Sequence, residues 1–102
     1  MVKFKENTYN VFQYLKQHED EDITAKDIAA ALGLDPRQVN GIITGAFVRH
    51  MKDVDGEKVK DPWAKRVEGE LEIEQKDGSI KHESVKFVKL TESGRALVPE
   101  ME

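Results

Sequence analysis

The amino-acid sequence predicts a single domain of the α+β class, in which three helices precede a two-stranded hairpin. Two changes of pattern lead to this prediction. Apolar residues recur at helical spacing between Thr8 and Phe47, and from Val67 onward they alternate with glutamate at every second position. The chain has 102 residues, which is a usual length for one domain with one modest core.

The first helix is predicted to begin at Asn7, whose side chain is suited to capping a helix start. The acidic run from Glu19 to Asp22 ends this helix and is interpreted as a solvated connector. Ile23 follows as a candidate strand residue. The apolar face of the first helix is predicted to consist of Thr8, Val11, Phe12 and Leu15.

Boundary signals place a second helix directly after the connector. Thr24 is expected to cap it, with Asp27 reaching back to form a capping box. Gly33 is expected to end it, because glycine adopts the left-handed conformation without a steric penalty. The residues that recur at helical spacing are Ala25, Ile28, Ala29 and Leu32.

A third helix begins only two residues after Gly33. Asp35 is its expected cap, Pro36 occupies the first helical position and Gln38 is predicted to complete a second capping box. The short turn predicts a helix-turn-helix over residues 24–52, with fraying near the end of the third helix. The predicted buried face of this helix consists of Val39, Ile42, Ile43, Ala46 and Phe47.

The remainder of the chain is predicted to form a loop and a hairpin. Residues 53–62 are polar and end in a breaker, which is typical of a loop. Residues 64–90 predict two strands around a turn at 76–79, with the odd-numbered apolar residues on a buried face and the glutamates on a solvated one. Residues 91–97 predict one short capped helix, and Trp63 is expected to plug the core behind the loop.

Three helices followed by a hairpin is the element order of a winged helix-turn-helix, and several segments also resemble a known family. Residues 23–39, 66–70 and 89–97 are similar to the corresponding parts of small bacterial, archaeal and phage winged-helix regulators of the MarR-like kind. Members of that family typically close the wing on a Leu-Thr-x-x-Gly-Arg stretch, which residues 90–95 match. The resemblance implies binding of double-stranded DNA and regulation of transcription. The segment 53–62 and Trp63 depart from the short passage that members usually have there.

The side chains predicted to contact DNA follow from the helical wheel of the third helix. With Val39, Ile43 and Phe47 facing inward, its outward face is centred on Arg37, Gly41, Thr44 and Val48, with Gly45 among the flanking residues. Arginine, glutamine, asparagine and threonine are side chains that read base edges or hold phosphates. The complete predicted set is Thr24, Lys26, Arg37, Gln38, Asn40, Gly41, Thr44, Arg49, and Lys76, Ser79 and Lys81 at the tip of the wing.

Two glycines on an exposed helical face require an explanation, because each costs the helix about 1 kcal/mol relative to alanine. Gly41 and Gly45 lie one turn apart. One interpretation is that they allow a DNA strand or a partner helix to approach closely. The other is tight packing within the domain itself.

Charge supports DNA binding only in the middle of the chain. The net charge is −4, yet residues 35–66 hold seven basic and five acidic groups. The wing strand presents Glu68, Glu70, Glu72 and Glu74 on one face, which phosphates would repel. We therefore expect the wing tip, rather than its strand face, to reach DNA. The alternative function is a protein-interaction domain that binds a basic partner through the acidic wing, and a homodimer is also left open.

The residue pattern does not indicate an enzyme, a metal site or a cofactor site. The three histidines fall on different predicted elements, and no phosphate-binding glycine loop or nucleophile motif occurs. The chain contains no cysteine, and no apolar run approaches the length of a membrane span. These observations predict a soluble, cytoplasmic protein.

Overall fold

The computed structural model describes residues 2–102 and has an α+β fold, as predicted. The described helices are α1 (Glu6–Gln17), α2 (Ala25–Leu32), α3 (Pro36–Ile42) and α4 (Glu92–Ala96). A π-helical segment (Ile43–Val48) continues α3 without a break. The described strands are β1 (Lys3–Phe4), β2 (Met51–Val54), β3 (Glu57–Lys60), β4 (Ala64–Glu74), β5 (Ile80–Leu90) and β6 (Glu100–Met101).

The predicted boundaries of α2 are confirmed. The Asp27 N–H donates to the Thr24 hydroxyl oxygen at 3.2 Å, and the Thr24 N–H donates to the Asp27 carboxylate at 2.9 Å. Gly33 ends the helix in the left-handed conformation, with φ of 68°. This reciprocal cap and glycine stop satisfy backbone groups that the helix itself leaves unpaired.

The start of α3 is confirmed only in part. Asp35 caps it by accepting the Arg37 N–H at 2.8 Å, and Pro36 follows at the first helical position. The predicted capping box through Gln38 is wrong, because the Asp35 carboxylate is engaged one residue earlier. The turn between α2 and α3 nevertheless has the predicted length.

The predicted start of α1 is also wrong. The helix begins at Glu6, and Lys5 occupies the capping position without a side-chain hydrogen bond. The Lys5 carbonyl accepts the Tyr9 N–H at 2.8 Å, so Asn7 already lies inside the first helical turn and cannot cap the helix. Strand β1, just before α1, pairs in parallel with β6 and brings the two ends of the described chain together.

The segment predicted as a loop, residues 53–62, contains most of a hairpin instead. We call β2 and β3, residues 51–60, the short hairpin; the two strands pair antiparallel, with Val54 opposite Glu57. Asp55 and Gly56 form its two-residue turn with φ of 52° and 83°. Positive φ at both central residues is the type I′ geometry, for which Asp-Gly is a preferred sequence. The Asp-Gly pair was therefore a hairpin signal rather than only a breaker.

We call β4 and β5, residues 64–90, the long hairpin; its existence and its turn are as predicted. Gly69 lies opposite Val85 and Val67 opposite Phe87. The predicted burial of the odd-numbered face is wrong for most of its length. Val67, Leu71 and Ile73 remain 39–40% exposed, since the outer part of this hairpin extends away from the helices. Phe87 is the exception: it is buried, and its ring lies over Gly69, which has no side chain in the way.

The opposite face of the long hairpin enters the core at its base. Ala64, Val88 and Leu90 are buried there among the helices. Side chains alternate along a strand, so Arg66 and the glutamates that follow at every second position belong to this same face. The face is therefore apolar at its base, basic at Arg66 and acidic farther out.

Aromatic residues occupy the centre of the core. Phe4 lies 5.6 Å, centroid to centroid, from each of Phe12, Phe47 and Trp63, with the rings tilted or edge-on. Such arrangements place a ring edge against a neighbouring face and add to the effect of burial. Trp63 is 8% exposed, which confirms its predicted place in the core. None of the helices in residues 2–102 has the length and apolar character needed to cross a bilayer.

Gly94 allows α4 to approach the start of the long hairpin, and its replacement should be costly. A Cβ at this position would lie 1.9 Å from the Trp63 carbonyl oxygen. We expect Gly94→Ala to lower the free energy of unfolding by about 1–3 kcal/mol, as overpacking typically does. Gly41→Ala is the matched control, because nothing lies within 4 Å of a Cβ there. Urea titration measures the free energy of unfolding of both variants, and Gly41→Ala should be neutral or stabilising. Equal stability of Gly94→Ala and the unmutated protein would contradict the close approach of α4 to Trp63.

Candidate nucleic-acid interface

The exposed face of α3 and its π-helical continuation carries an arginine at each end and glycines between them. Arg37, Gly41, Gly45 and Arg49 are all exposed, whereas Thr44 and Val48 are half-buried. We call the four exposed residues the Arg–Gly stripe. It differs from the predicted face, which ran through Thr44 and Val48.

The π-helical segment explains this difference. The Arg49 N–H donates to the Thr44 carbonyl at 3.1 Å, five residues back rather than four. The wider turn holds more residues, so positions spaced by four stay in line instead of drifting around the axis. A helical wheel with a uniform period of 3.6 therefore misplaces the last turn and a half.

The two glycines of the Arg–Gly stripe face open space. A Cβ built on Gly41 or on Gly45 would meet nothing within 4 Å. The interpretation that they pack tightly within the domain is therefore wrong. They leave a shallow surface where another molecule can reach the helix backbone, with a guanidinium group at either end.

Arg66 joins this surface from β4. Its Nη2 donates to the Thr44 hydroxyl oxygen at 3.0 Å and to the Asn40 side-chain oxygen at 3.3 Å, with the Asn40 backbone carbonyl at 3.4 Å. Arg66 is not among the residues predicted from the sequence to contact DNA. No pattern in the sequence pointed to it, because the even-numbered face of β4 was predicted to be solvated and only the structure shows that Ala64, on that same face, is buried. The structure thus brings together Asn40 and Thr44, two predicted contact residues, through a third residue.

The other predicted residues of the helix-turn-helix lie at the starts of α2 and α3. Lys26 is exposed in the first turn of α2, and Gln38 is exposed in the first turn of α3. The Thr24 hydroxyl oxygen is engaged in the α2 cap. Helices α2 and α3 contact each other, and Gln38 follows Arg37, the first residue of the Arg–Gly stripe.

The predicted tip residues form a separate group. Lys76, Ser79 and Lys81 are exposed at the far end of the long hairpin, ten or more residues after Arg66 in the sequence. At about 3.3 Å per residue, the turn lies roughly 30 Å from the base of that hairpin. The Ser79 hydroxyl donates to the Asp77 carboxylate at 2.6 Å, so its proton already has an acceptor within the turn.

Between these two groups the long hairpin is acidic. Glu68, Glu70, Glu72 and Glu74 are all exposed on the face that begins with Arg66. His82 lies between two of them, with Nδ1 at 3.4 Å from the Glu70 carboxylate and 4.0 Å from that of Glu72. On β4 the sign of the charge changes between Arg66 and Glu68, and Lys86 of β5 lies opposite Glu68 on the same face.

Comparison with protein-family models, with curated proteins and with solved structures found no match. In the part of the chain that the structure describes, no three histidine, aspartate or glutamate side chains are grouped to hold a metal ion. Function is therefore inferred from the residues of the chain itself.

The pKa of Asp77 tests whether the hydrogen bonds in the turn of the long hairpin form in solution. Hydrogen bonds from the Ser79 hydroxyl and the Ser79 N–H hold the pKa of Asp77 below its usual value. Ser79→Ala should remove the larger of these effects and raise the Asp77 pKa toward the ordinary range, as a carboxyl NMR titration would measure. Because the folded pKa is depressed, the turn is stabilised at pH values above the unfolded pKa and loses this support as the pH falls through the folded one.

Ser84→Ala is the matched control, because this serine lies on the same hairpin, opposite Glu70 and away from the turn. It should leave the Asp77 titration unchanged. An Asp77 pKa that is identical in Ser79→Ala and in the unmutated protein would show that the hydroxyl bond does not form in solution.

Proposed function

We propose that this chain is a winged-helix protein that binds double-stranded DNA and regulates transcription. The observation that carries the proposal is the Arg–Gly stripe: an exposed helical face with two arginines, two glycines open to solvent, and no side chain between them that would keep a nucleic acid away. The helix that bears it is the second of a tightly capped helix-turn-helix, the position that enters the major groove in such proteins.

The element order supports the winged-helix assignment. Helices α1, α2 and α3 precede the long hairpin, which takes the place of the wing. The Val88 N–H donates to the Ile23 carbonyl at 2.8 Å, so a backbone hydrogen bond ties the residue just before Thr24 to β5. Trp63, Ala64, Val88 and Leu90 pack the base of the wing into the helical core.

The dimensions of the helix suit a DNA groove. Residues 36–48 form 13 residues of continuous helix, about 20 Å at the α-helical rise, and a major groove about 12 Å wide admits such a helix. Arginines at the two ends of the stripe can pair with phosphates or with guanine, while the glycines let the groove edges approach the backbone. Gln38 in α3, and Arg66 through its bonds to Asn40 and Thr44, lie at the border of this contact.

The negative net charge of the chain limits its general attraction to the DNA backbone. A chain of net charge −4 gains little from neutralising phosphates, so binding without sequence preference should be weak. The glutamate face of the wing repels the duplex backbone. The wing tip lies roughly 30 Å from Arg66, close to one DNA helical turn of about 34–36 Å, so its two lysines can reach phosphates farther along the same duplex.

The second candidate is binding of a basic protein, and specific features of the wing favour it. Four glutamates are exposed on one face, and Val67, Leu71 and Ile73 are exposed on the other. An acidic face with an apolar face behind it is suited to a partner that supplies lysine or arginine and some apolar surface. On this reading the Arg–Gly stripe has no role in the contact.

Substitution of Gly41 in α3 distinguishes DNA binding from binding of a basic protein. Gly41→Leu should reduce DNA affinity at least tenfold, because a bulky side chain would stand in the open stripe. The same change should raise the melting temperature slightly, since leucine favours a helix over glycine by nearly 1 kcal/mol and nothing lies within 4 Å of the new Cβ.

Ala30→Leu is the matched control, because it adds a side chain at an exposed position of α2 outside the stripe. Fluorescence-anisotropy titration of a labelled duplex measures DNA affinity for both variants, and Ala30→Leu should leave it unchanged. Undiminished DNA binding by Gly41→Leu would remove the stripe from the interface.

Removing the negative charges of the four β4 glutamates also distinguishes DNA binding from binding of a basic protein. Replacing Glu68, Glu70, Glu72 and Glu74 by glutamine removes four negative charges from an exposed surface and leaves the core intact. For a DNA-binding protein, affinity for random-sequence duplex should rise at low salt, and this gain should fade as the Debye length falls to about 8–10 Å.

The result expected for a protein-binding domain is the opposite. DNA association would stay negligible in both forms, and the fourfold variant would lose a basic partner instead. Titration of labelled random duplex at low and at high salt measures the difference. An absence of DNA binding by both forms at low salt would contradict the proposed function.

A further inference from the structure

The outer part of the long hairpin has an apolar face that the rest of the described chain leaves uncovered. Val67, Leu71 and Ile73 on this face are each 39–40% exposed. Residues directly opposite each other in an antiparallel pair point to the same side, so the pairing of β4 with β5 defines the face completely. We call it the odd face; its members are Val67, Gly69, Leu71 and Ile73 of β4, and Lys81, Glu83, Val85 and Phe87 of β5.

Two opposite charges lie next to each other on the odd face. Lys81 is opposite Ile73. Glu83, two positions along β5, is opposite Leu71. Lys81 and Glu83 are exposed, and neither forms an ion pair with another residue of the described chain. The outer end of the face therefore combines exposed apolar surface with two charges that cancel.

A two-fold axis at the Glu72–His82 pair would match this end of the odd face with that of a second copy. Glu72 and His82 lie opposite each other, midway between positions 71 and 73 of β4 and between positions 81 and 83 of β5. A half-turn about an axis that runs between the two copies, across the strands at this pair, exchanges 71 with 73 and 81 with 83. Lys81 then faces Glu83 of the partner subunit, and the exposed apolar side chains of β4 face each other. Each contact occurs twice, as two-fold symmetry requires.

The other face of the hairpin does not allow such a dimer. It carries four exposed glutamates on β4, and a half-turn of the same kind would place these like charges against one another. A basic protein, in turn, would be attracted to those glutamates rather than to the odd face, whose outer charges cancel. A second copy is the partner whose charges and apolar side chains both match the odd face.

We propose that two copies of this chain associate through the outer ends of their odd faces, with the long hairpins antiparallel about a two-fold axis at the Glu72–His82 pair. Packed sheets lie about 10 Å apart and cross at about 30°, and residues beside the axis stay in contact at such an angle because they move least. This association goes beyond the proposed DNA binding and does not require it. In the dimer Lys81 pairs with Glu83 of the partner subunit, so a phosphate contact at the wing tip falls to Lys76.

The small overlap predicts a weak dimer. The stretch from Gly69 to the turn spans about 23 Å at roughly 3.3 Å per residue, and two strands are about 10 Å wide. The area covered on each copy is therefore far below the roughly 800 Å² of a standard interface. We expect a dissociation constant of about 0.1–1 mM, so that the dimer forms at high protein concentration.

Charge reversal at positions 81 and 83 tests this arrangement by sedimentation equilibrium of the full chain, at concentrations up to about 1 mM. The unmutated protein should show an average mass that rises toward that of a dimer. Lys81→Glu creates two glutamate–glutamate contacts across the axis, and Glu83→Lys creates two lysine–lysine contacts. Each should raise the dissociation constant at least about tenfold, because two attractions become two repulsions.

An equal mixture of the two variants tests the two-fold pairing directly. A mixed dimer has two glutamates on one subunit facing two lysines on the other, so both contacts become attractive again. The mixture should therefore dimerise at least as well as the unmutated protein, although neither variant does so alone. Lys86→Glu is the matched control: it reverses the same kind of charge on the same strand, opposite Glu68 on the other face, and should leave the dissociation constant unchanged.

Dimerisation of the mixture, without dimerisation of either variant alone, would establish the two-fold contact, because impaired folding of a variant could not produce it. The proposal would be overturned by an unmutated protein that stays monomeric, by a mixture that stays monomeric, or by equal weakening in Lys81→Glu and Lys86→Glu. A monomeric protein would leave the odd face to a partner of another kind. Binding of duplex DNA by these samples is measured separately and decides only the proposed function.

Discussion

The position of Trp63 connects the helices to both hairpins, and the candidate interface depends on it. Its ring lies 5.6 Å from that of Phe4 and stacks on His50 at 3.5 Å. The backbone N–H of Trp63 donates to the Phe47 carbonyl at 2.9 Å, and the Trp63 carbonyl accepts the Thr91 N–H at 3.0 Å. One buried residue thus joins the end of the π-helical segment, the base of the short hairpin, the start of β4 and the turn into α4. Because Arg66 follows three residues later in a strand, this anchor also brings Arg66 over Asn40 and Thr44.

The π-helical segment and the two glycines act together on the surface of the third helix. The wider turn keeps residues spaced by four in line, and that line contains both glycines. In a regular α-helix, Thr44 and Val48 would lie closer to the centre of this face and cover it. A segment of this kind is uncommon and is frequently found at functional sites. Here it turns an ordinary amphipathic helix into one with an open backbone strip between two arginines.

Along the long hairpin, the charged side chains change sign twice. Arg66 lies at the base, four glutamates follow on the same face, and lysines return at the tip. A duplex lying on the helix would therefore meet repulsion before it reached the tip. This pattern favours contacts at separated points over a continuous basic surface, and it makes sequence preference more important than general attraction to phosphate.

Local signals in the sequence predicted local structure well. The Thr24 capping box, the Gly33 stop and the Asp35 cap depend on neighbouring residues alone, and all three form as expected. The short hairpin was missed although its Asp-Gly turn was visible, because the surrounding residues are polar on both faces and give no alternating pattern.

The remaining differences arise from contacts between distant residues. Alternation alone could not show that the odd-numbered face of the long hairpin has no helix above it. Likewise, a fixed helical period could not reveal the π-helical segment, and no local motif marks Arg66, whose partners lie 22 and 26 positions away in the sequence. Candidate contact residues could therefore be identified by type and helix face, but the group formed by Asn40, Thr44 and Arg66 required the structure.

The most direct test of the central claim is to map where a duplex touches the protein. The ¹⁵N-labelled protein would be titrated with a random-sequence duplex at low salt while its backbone amide signals are followed. If the helix face binds DNA, the shifts should be concentrated at residues 37–49 and at Arg66, with little change along the glutamates of β4. Signals that do not move, or shifts confined to the outer long hairpin around Leu71 and Ile73, would contradict the account.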